Sequence, residues 1–414
     1  MNTKVKKILI ILYIVLMAIA FTTRCGDIFI SNNVQYIIAI IIIGISFFSF
    51  IINGKNRENA KDLKKVFKWY FIPPLLIHLY TLILMMVGIF DKAYFSTNIS
   101  KYIPILLAIS SIYIFEEKAF DYNFIALILS WFLSFFISII CKGINVIPYA
   151  IMQAYFEVEN PIGEVSKNYL ELHDLVLTLG CIFVYFIYNI NMKKRINKKE
   201  IYSILIALVI LGLGMKRITI LGILVSFIFI KCMKHISKEN KIKLCKIAGG
   251  TILIACYIYV YIILNSEILY DFCDKYNINL MGRNYYYDVI AKYGDFSIGF
   301  LGTGRNSVTK ILTKQYNYLH VGGVHSDILK SYIENGFIVF GLWLWYYLID
   351  LTKKYEKQFG TSSAILYFCL TIYTFILYFT DNVENYFIYQ IFYTIIPITY
   401  AIKHQKMKKE KMEE

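Results

Sequence analysis

The residues best suited to chemistry collect in one stretch. It reads Met281-Gly282-Arg283-Asn284-Tyr285-Tyr286-Tyr287, then Gly299-Phe300-Leu301-Gly302-Thr303-Gly304-Arg305-Asn306. After Tyr316-Asn317-Tyr318-Leu319-His320 come Gly323-Val324-His325-Ser326-Asp327-Ile328-Leu329 and Glu334-Asn335-Gly336. Arg283 and Arg305 each carry a planar fork of donors that matches a phosphate or carboxylate. The Gly302-Thr303-Gly304 turn allows close backbone approach and can present N–H groups to an anion. His325 is the side chain best poised to accept or relay a proton near neutral pH. It precedes a segment, Ile328–Phe337, whose Ile328, Leu329, Tyr332, Ile333 and Phe337 fit one face of a short amphipathic helix. That helix would hold His325 and Asp327 near its N-terminal end, where the dipole favours an anion.

Other positions compete with these. Lys216-Arg217 lies between two apolar runs, so both cations sit at or just below a membrane surface, where charge is costly; they either act on a ligand or snorkel to the interface. Arg283 and Arg305 each have a plainer reading as partners of a nearby acid or lipid headgroup, and His325 and His320 as structural hydrogen-bonding histidines. Tyr285, Tyr286, Tyr287, Tyr316 and Tyr318 suit stacking on sugar rings, yet tyrosine also collects at membrane interfaces. Glu171, His173 and Asp174 are metal-ligand types, but their spacing does not put all three on one helix face, so no metal site is expected. The 8 cysteines show no metal spacing and read as small buried hydrophobes; a bridge between Cys25 and Cys273 has no support beyond their external placement.

The elements that position these residues are apolar. Of 414 residues 58% are hydrophobic and only 17% charged, against roughly 25% charged in a soluble domain. A water-facing surface cannot be covered with so few charges, and disorder is excluded by the same numbers. Bilayer-length runs give twelve expected spans, at about 8–23, 34–54, 69–90, 99–115, 122–141, 172–190, 201–214, 218–232, 247–265, 336–352, 363–380 and 386–402. The first is read as a retained span because no signal-cleavage site follows it. The expected fold is therefore all-α: one polytopic membrane domain, 1–414, with an external loop at 142–171 and a large external loop at 266–335 that contains short helices and carries the function.

The net charge of +15 suggests nucleic acid in a soluble chain, but its distribution says otherwise. With both termini cytoplasmic, about two-thirds of the 43 cations fall on the cytoplasmic side, and the external side is left slightly acidic. The excess orients the chain, and no nucleic-acid partner is expected. Arg217, Arg283 and Arg305 are informative because they lie on the opposite side. The short cytoplasmic loops hold no Gly-rich phosphate loop, so nucleotide-driven chemistry has no place there.

The ordered set Gly282-Arg283, Gly302-Thr303-Gly304, His325-Ser326-Asp327-Ile328-Leu329 and Glu334-Asn335-Gly336, followed by Phe337-Ile338-Val339-Phe340-Gly341, resembles the signature of the O-antigen ligase/polymerase superfamily. Met215-Lys216-Arg217 resembles that family's Ser-Arg turn between two short spans. The match covers about 215–341; Ser326 stands where the family has Asn, and Tyr287 where Trp is common. The resemblance implies a multi-pass protein of the bacterial cytoplasmic membrane with its active face external. It implies a metal-independent, cofactor-free glycosyltransferase that joins polyprenyl-diphosphate-linked oligosaccharide repeat units into a surface polysaccharide. By the same resemblance Lys216, Arg217, Arg283, Arg305, Gly302 and Gly304 hold the donor diphosphate, and His325 handles the acceptor hydroxyl. Asp327, Glu334, His320 and Tyr287 support the acceptor. Its partners are the lipid-linked donor and acceptor, membrane lipid, a flippase and a chain-length regulator. A ligase-type transferase and a lipid-linked oligosaccharide flippase are the alternatives; a flippase calls for similar halves and mid-membrane polar groups, whereas the halves here look unlike.

Overall fold

The computed structural model describes residues 3–22, 24–25, 28–29, 32–53, 60–89, 101–144, 147–148, 151–152, 173–192, 198–214, 216–277, 280, 282–315 and 323–413. It is helical almost throughout; the two-residue strands β1 (Arg24–Cys25) and β2 (Ile28–Phe29) pair antiparallel. Among the described residues six helices are long and apolar enough to cross a membrane: Asn33–Ile52, Lys61–Met86, Ile103–Ile137, Asp174–Met192, Lys238–Leu264 and Thr361–Tyr378. The expected spans 99–115 and 122–141 overlap one such stretch, Ile103–Ile137, interrupted by the 3-10 turn Glu116–Lys118. The expected pair at 201–214 and 218–232 corresponds to helices of only 17 and 18 residues.

The sequence reading treats 1–414 as one domain, whereas the packing of the chain divides it into two compact units. One comprises residues 1–67, 103–234 and 386–414. Its helices are α1 (Thr3–Phe21), α2 (Asn32–Asn53), α4 (Ile103–Phe115), α5 (Ala119–Lys142), α6 (His173–Met192), α7 (Lys198–Gly214), α8 (Arg217–Lys234) and α16 (Phe387–Glu413). Helix α1 packs on α5, α2 on α4, and α16 on both α4 and α6. Buried polar groups tie the bundle at fixed points: the Tyr13 hydroxyl lies 2.7 Å from Ser111 Oγ and accepts from Asn123 Nδ2 at 3.0 Å. Asp174 caps the start of α16, its two carboxylate oxygens accepting from Ile388 N at 3.0 Å and Tyr389 N at 2.9 Å. Helix N-termini leave four N–H groups without intrahelical partners, so Asp174 has a structural task there.

The other unit comprises residues 68–102 and 235–385. It holds the end of α3 (Ala60–Met86), α9 (Lys238–Leu264), the short helices α10 (Ser266–Tyr276), α11 (Arg283–Ala291) and α12 (Ser307–Gln315), α13 (Asp327–Trp345), a π turn Tyr346–Asp350, α14 (Leu351–Phe359), α15 (Thr361–Tyr378) and a 3-10 turn Val383–Asn385. Helix α9 packs on α13 and α15. An aromatic seam fills the space around them: Tyr257, Phe296, Phe300, Tyr332, Phe337 and Phe340 meet ring to ring, and the Tyr257 hydroxyl donates to the Phe337 carbonyl at 2.7 Å. The anticipated amphipathic helix 328–337 differs in two respects. It is interrupted at Gly336, whose φ of 74° and ψ of 175° are not helical, so Phe337 begins a separate helical piece. Its polar positions Asp327, Lys330, Ser331, Glu334 and Asn335 are buried along with the apolar ones, which makes it an interior helix with a charged face.

Candidate functional site

The break at Gly336 builds the site. In an unbroken helix the carbonyls of Ile333 and Glu334 would accept from the N–H groups four residues on. Here Phe337 N donates to Phe300 O instead, at 2.9 Å, and the freed carbonyls accept from Thr303 N at 2.8 Å and Gly304 N at 2.9 Å. Segment 300–304 therefore lies along 333–337 at backbone contact. Only glycine fits where the two meet: a Cβ on Gly302 would stand 2.4 Å from Gly336 N, and a Cβ on Gly336 would stand 2.3 Å from Leu301 C. Gly302, Gly304 and Asn306 all take positive φ, and this left-handed turn aims Arg305 inward.

This corrects the expectation for Gly302 and Gly304. Their close approach is to the chain's own backbone, and the Thr303 and Gly304 N–H groups expected to face an anion are already bonded to carbonyls.

Arg305 lands in a buried charge cluster. Its Nη2 lies 2.8 Å from Glu384 Oε1; Lys101 Nζ lies 3.1 Å and Lys330 Nζ 3.6 Å from Glu384 Oε2. Lys330 also reaches Asn385 Oδ1 at 3.5 Å, and Arg305 N donates to Thr81 Oγ1 at 3.3 Å. Asp327 Oδ2 accepts the backbone N–H of Glu384 at 2.7 Å and so fixes the turn that carries this carboxylate. Asp327, Lys330 and Glu334 follow one another at i, i+3 and i+7, one face of a helix. Asp327 Oδ1 and Glu334 Oε1 are buried without a hydrogen-bond partner among the described residues.

The electrostatics follow from burial and proximity. Burial pushes the Asp327 carboxyl up to about 7, with Lys330 opposing, and raises Glu334 in the same way. Burial would raise Glu384 too, but Lys101, Arg305 and Lys330 hold it well below the usual carboxylate range. Arg305 and Lys330 stay charged because their acidic neighbours outweigh burial.

His325 stands beside this cluster in sequence. Its backbone is left-handed, φ 53°, and the next residue, Ser326, caps α13 by accepting from Leu329 N at 3.2 Å. The Tyr286 ring lies 6.4 Å from the His325 ring. Tyr287 is buried, its hydroxyl 3.3 Å from that of Tyr259, which donates to Phe379 O at 2.7 Å and lies 3.2 Å from Ser326 Oγ. Burial raises the Tyr287 phenol above its ordinary range.

The structure thus joins Arg305, Asp327 and Glu334, and sets Tyr287 next to the cap that follows His325. Arg283 opens α11, one turn from Tyr287, and is not among the cations on Glu384. Lys216 and Arg217 belong to the other unit, at the start of α8, with Lys216 buried. His320 lies outside the described residues, as do Glu171 and Met215. Cys273 is a buried free thiol, and the side chain of Cys25 lies outside the described residues. Sequence reasoning missed Lys101, Lys330 and Glu384. A signal existed for two of them: Lys330 lies within the motif helix, and Glu384 with Asp381 interrupts two otherwise uncharged runs, 363–380 and 386–402. Compared with known proteins, the chain matches no family model and no curated sequence.

Proposed function

We propose that this chain is a membrane glycosyltransferase that polymerises polyprenyl-diphosphate-linked oligosaccharide repeat units, with about twelve spans, cytoplasmic termini and its site on the external face. The observation that carries this reading is the interlock of 300–304 with 333–337. It brings Arg305 to the helix that carries Asp327 and Glu334 and that His325 precedes, which supports the reading of these three motifs as parts of one site. In the reaction the acceptor hydroxyl attacks the anomeric carbon of the growing chain. The carbon–phosphate oxygen bond breaks, the hydroxyl proton passes to His325, and polyprenyl diphosphate leaves. Charge develops on the leaving diphosphate, and fixed cations in a low-dielectric site are the means of stabilising it. Arg305 supplies one; Arg283, Lys216 and Arg217 enter by resemblance alone.

A flippase for the same lipid-linked substrate is the second reading. It is favoured by one observation, since a buried acid–base cluster in an apolar unit also suits an ion-coupled transporter. Purified protein in vesicles with lipid-linked repeat units separates the readings. A ladder of polymers supports the polymerase. One transfer to a lipid acceptor points to a ligase, and movement across the bilayer with no new glycosidic bond points to the flippase.

A further inference from the structure

Glu384 is one carboxylate shared by three cations. Lys330 and Arg305 are almost fully buried, with side chains 2% and 7% exposed, while Glu384 is 24% exposed. The carboxylate is thus the most open member of the group and covers positive groups that lie deeper. Among the described residues it is the only acid within ion-pair distance of these cations, so direct pairing leaves positive charge over. Buried charge without a counter-ion is strongly unfavourable. Asp327 and Glu334 lie on the same face of α13 as Lys330, but neither comes within ion-pair distance of these cations, and burial raises both carboxyls above their ordinary values with Lys330 opposing.

We infer that Glu384 is a displaceable internal counter-ion, and that Lys101, Arg305 and Lys330 form a site for a phosphate-type anion whose oxygens take the place of the Glu384 carboxylate. The site assigns two lysines and a competing carboxylate to anion recognition, which the motifs did not. It deepens the polymerase reading and rests on it for the identity of the anion as a lipid diphosphate. Glu384 holds the cations in position while the site is empty and withdraws when a polyvalent anion enters. Its turn stays fixed by Asp327, so only the side chain has to move.

The test is calorimetric titration of inorganic pyrophosphate into full-length protein in phosphatidylcholine nanodiscs. Glu384→Gln keeps the shape and removes the competing charge, so it should bind pyrophosphate at least tenfold more tightly than the unmodified chain. Adding Lys330→Met to Glu384→Gln should cost at least tenfold. If Glu384→Gln does not purify folded, Glu384→Asp, which retracts the carboxylate by one methylene, should shift affinity in the same direction. Affinity unchanged or weakened by removing or retracting the carboxylate overturns the inference, as does indifference to Lys330→Met. Competition by added phosphatidylglycerol would assign the site to a lipid phosphate, and its absence to a diphosphate; both outcomes support the anion site. Tighter binding in a protein that makes no polymer would sink the polymerase reading and leave the site standing. Polymer synthesis with unaltered pyrophosphate binding would remove the site alone.

Discussion

At the residue scale, His325 and Asp327 make separable contributions although only Ser326 lies between them. His325 precedes the cap and has a ring as its functional part. His325→Ala should reduce polymer formation at least about 100-fold, the scale of a lost general base, and leave single repeat units on the carrier. Normal polymer length, read on a gel, would remove the residue from the mechanism. Asp327 is a structural acid whose titration is shared with its charged neighbours, Lys330 and Glu384 among them. Its folded value of about 7 lies above the ordinary 3.8. The stability it contributes is therefore fully present below the ordinary value and is lost as pH rises through about 7. Asp327→Asn still accepts from Glu384 N but cannot ionise. Melting temperatures from pH 5 to 8 should decline in the unmodified chain and decline less in the variant; parallel curves would show that Asp327 carries no such proton. Arg283→Lys should also lose activity if the fork matters, because a point charge cannot replace two aligned donors. Full activity would give Arg283 a packing role.

At the scale of elements, the decisive object is a helix interrupted on purpose. Gly336 releases two carbonyls of α13, and the Gly302–Gly304 turn takes them up. Ala at Gly302 or Gly336 would combine positive φ with a Cβ pressed on backbone, so each should destabilise the fold by roughly 3 kcal/mol or more. Gly250→Ala in α9 meets nothing within 4 Å and should leave the melting temperature unchanged or slightly higher. Equal effects at all three positions would mean that the interlock does not form. Here the limits of sequence reasoning are physical. The Gly302-Thr303-Gly304 turn was legible as a place of close backbone approach, but Gly336 read as part of a continuous helix 328–337, so their pairing was not foreseen and the Thr303 and Gly304 N–H groups meet carbonyls where an anion was expected. Arg305, Asp327 and Glu334 stood out as charges in a motif. Lys101 did not, because it becomes meaningful only through Glu384, 283 positions away.

At the scale of the whole molecule, composition alone gave an all-helical chain with helices able to cross a membrane, because apolar runs of bilayer length admit few other structures. The count was harder to read, since short or charged helices such as α7 and α8 satisfy a hydropathy window less well than they satisfy the alternation of charge between loops. That alternation makes a further prediction about sidedness. Ile298 lies in the segment 266–335 and is well exposed; Lys243 lies on the first turns of α9 and is exposed as well. If the basic segments face the cytoplasm, Ile298→Cys should react with a membrane-impermeant maleimide in intact cells above the signal of the chain's own cysteines. Lys243→Cys should react only after permeabilisation. Because both positions are exposed in the structure, burial cannot explain a difference between them, and the comparison reports orientation alone. The reverse pattern would place the Glu384 cluster on the cytoplasmic side. It would leave no external site for lipid-linked repeat units, and the polymerase reading would fall with the topology that supports it.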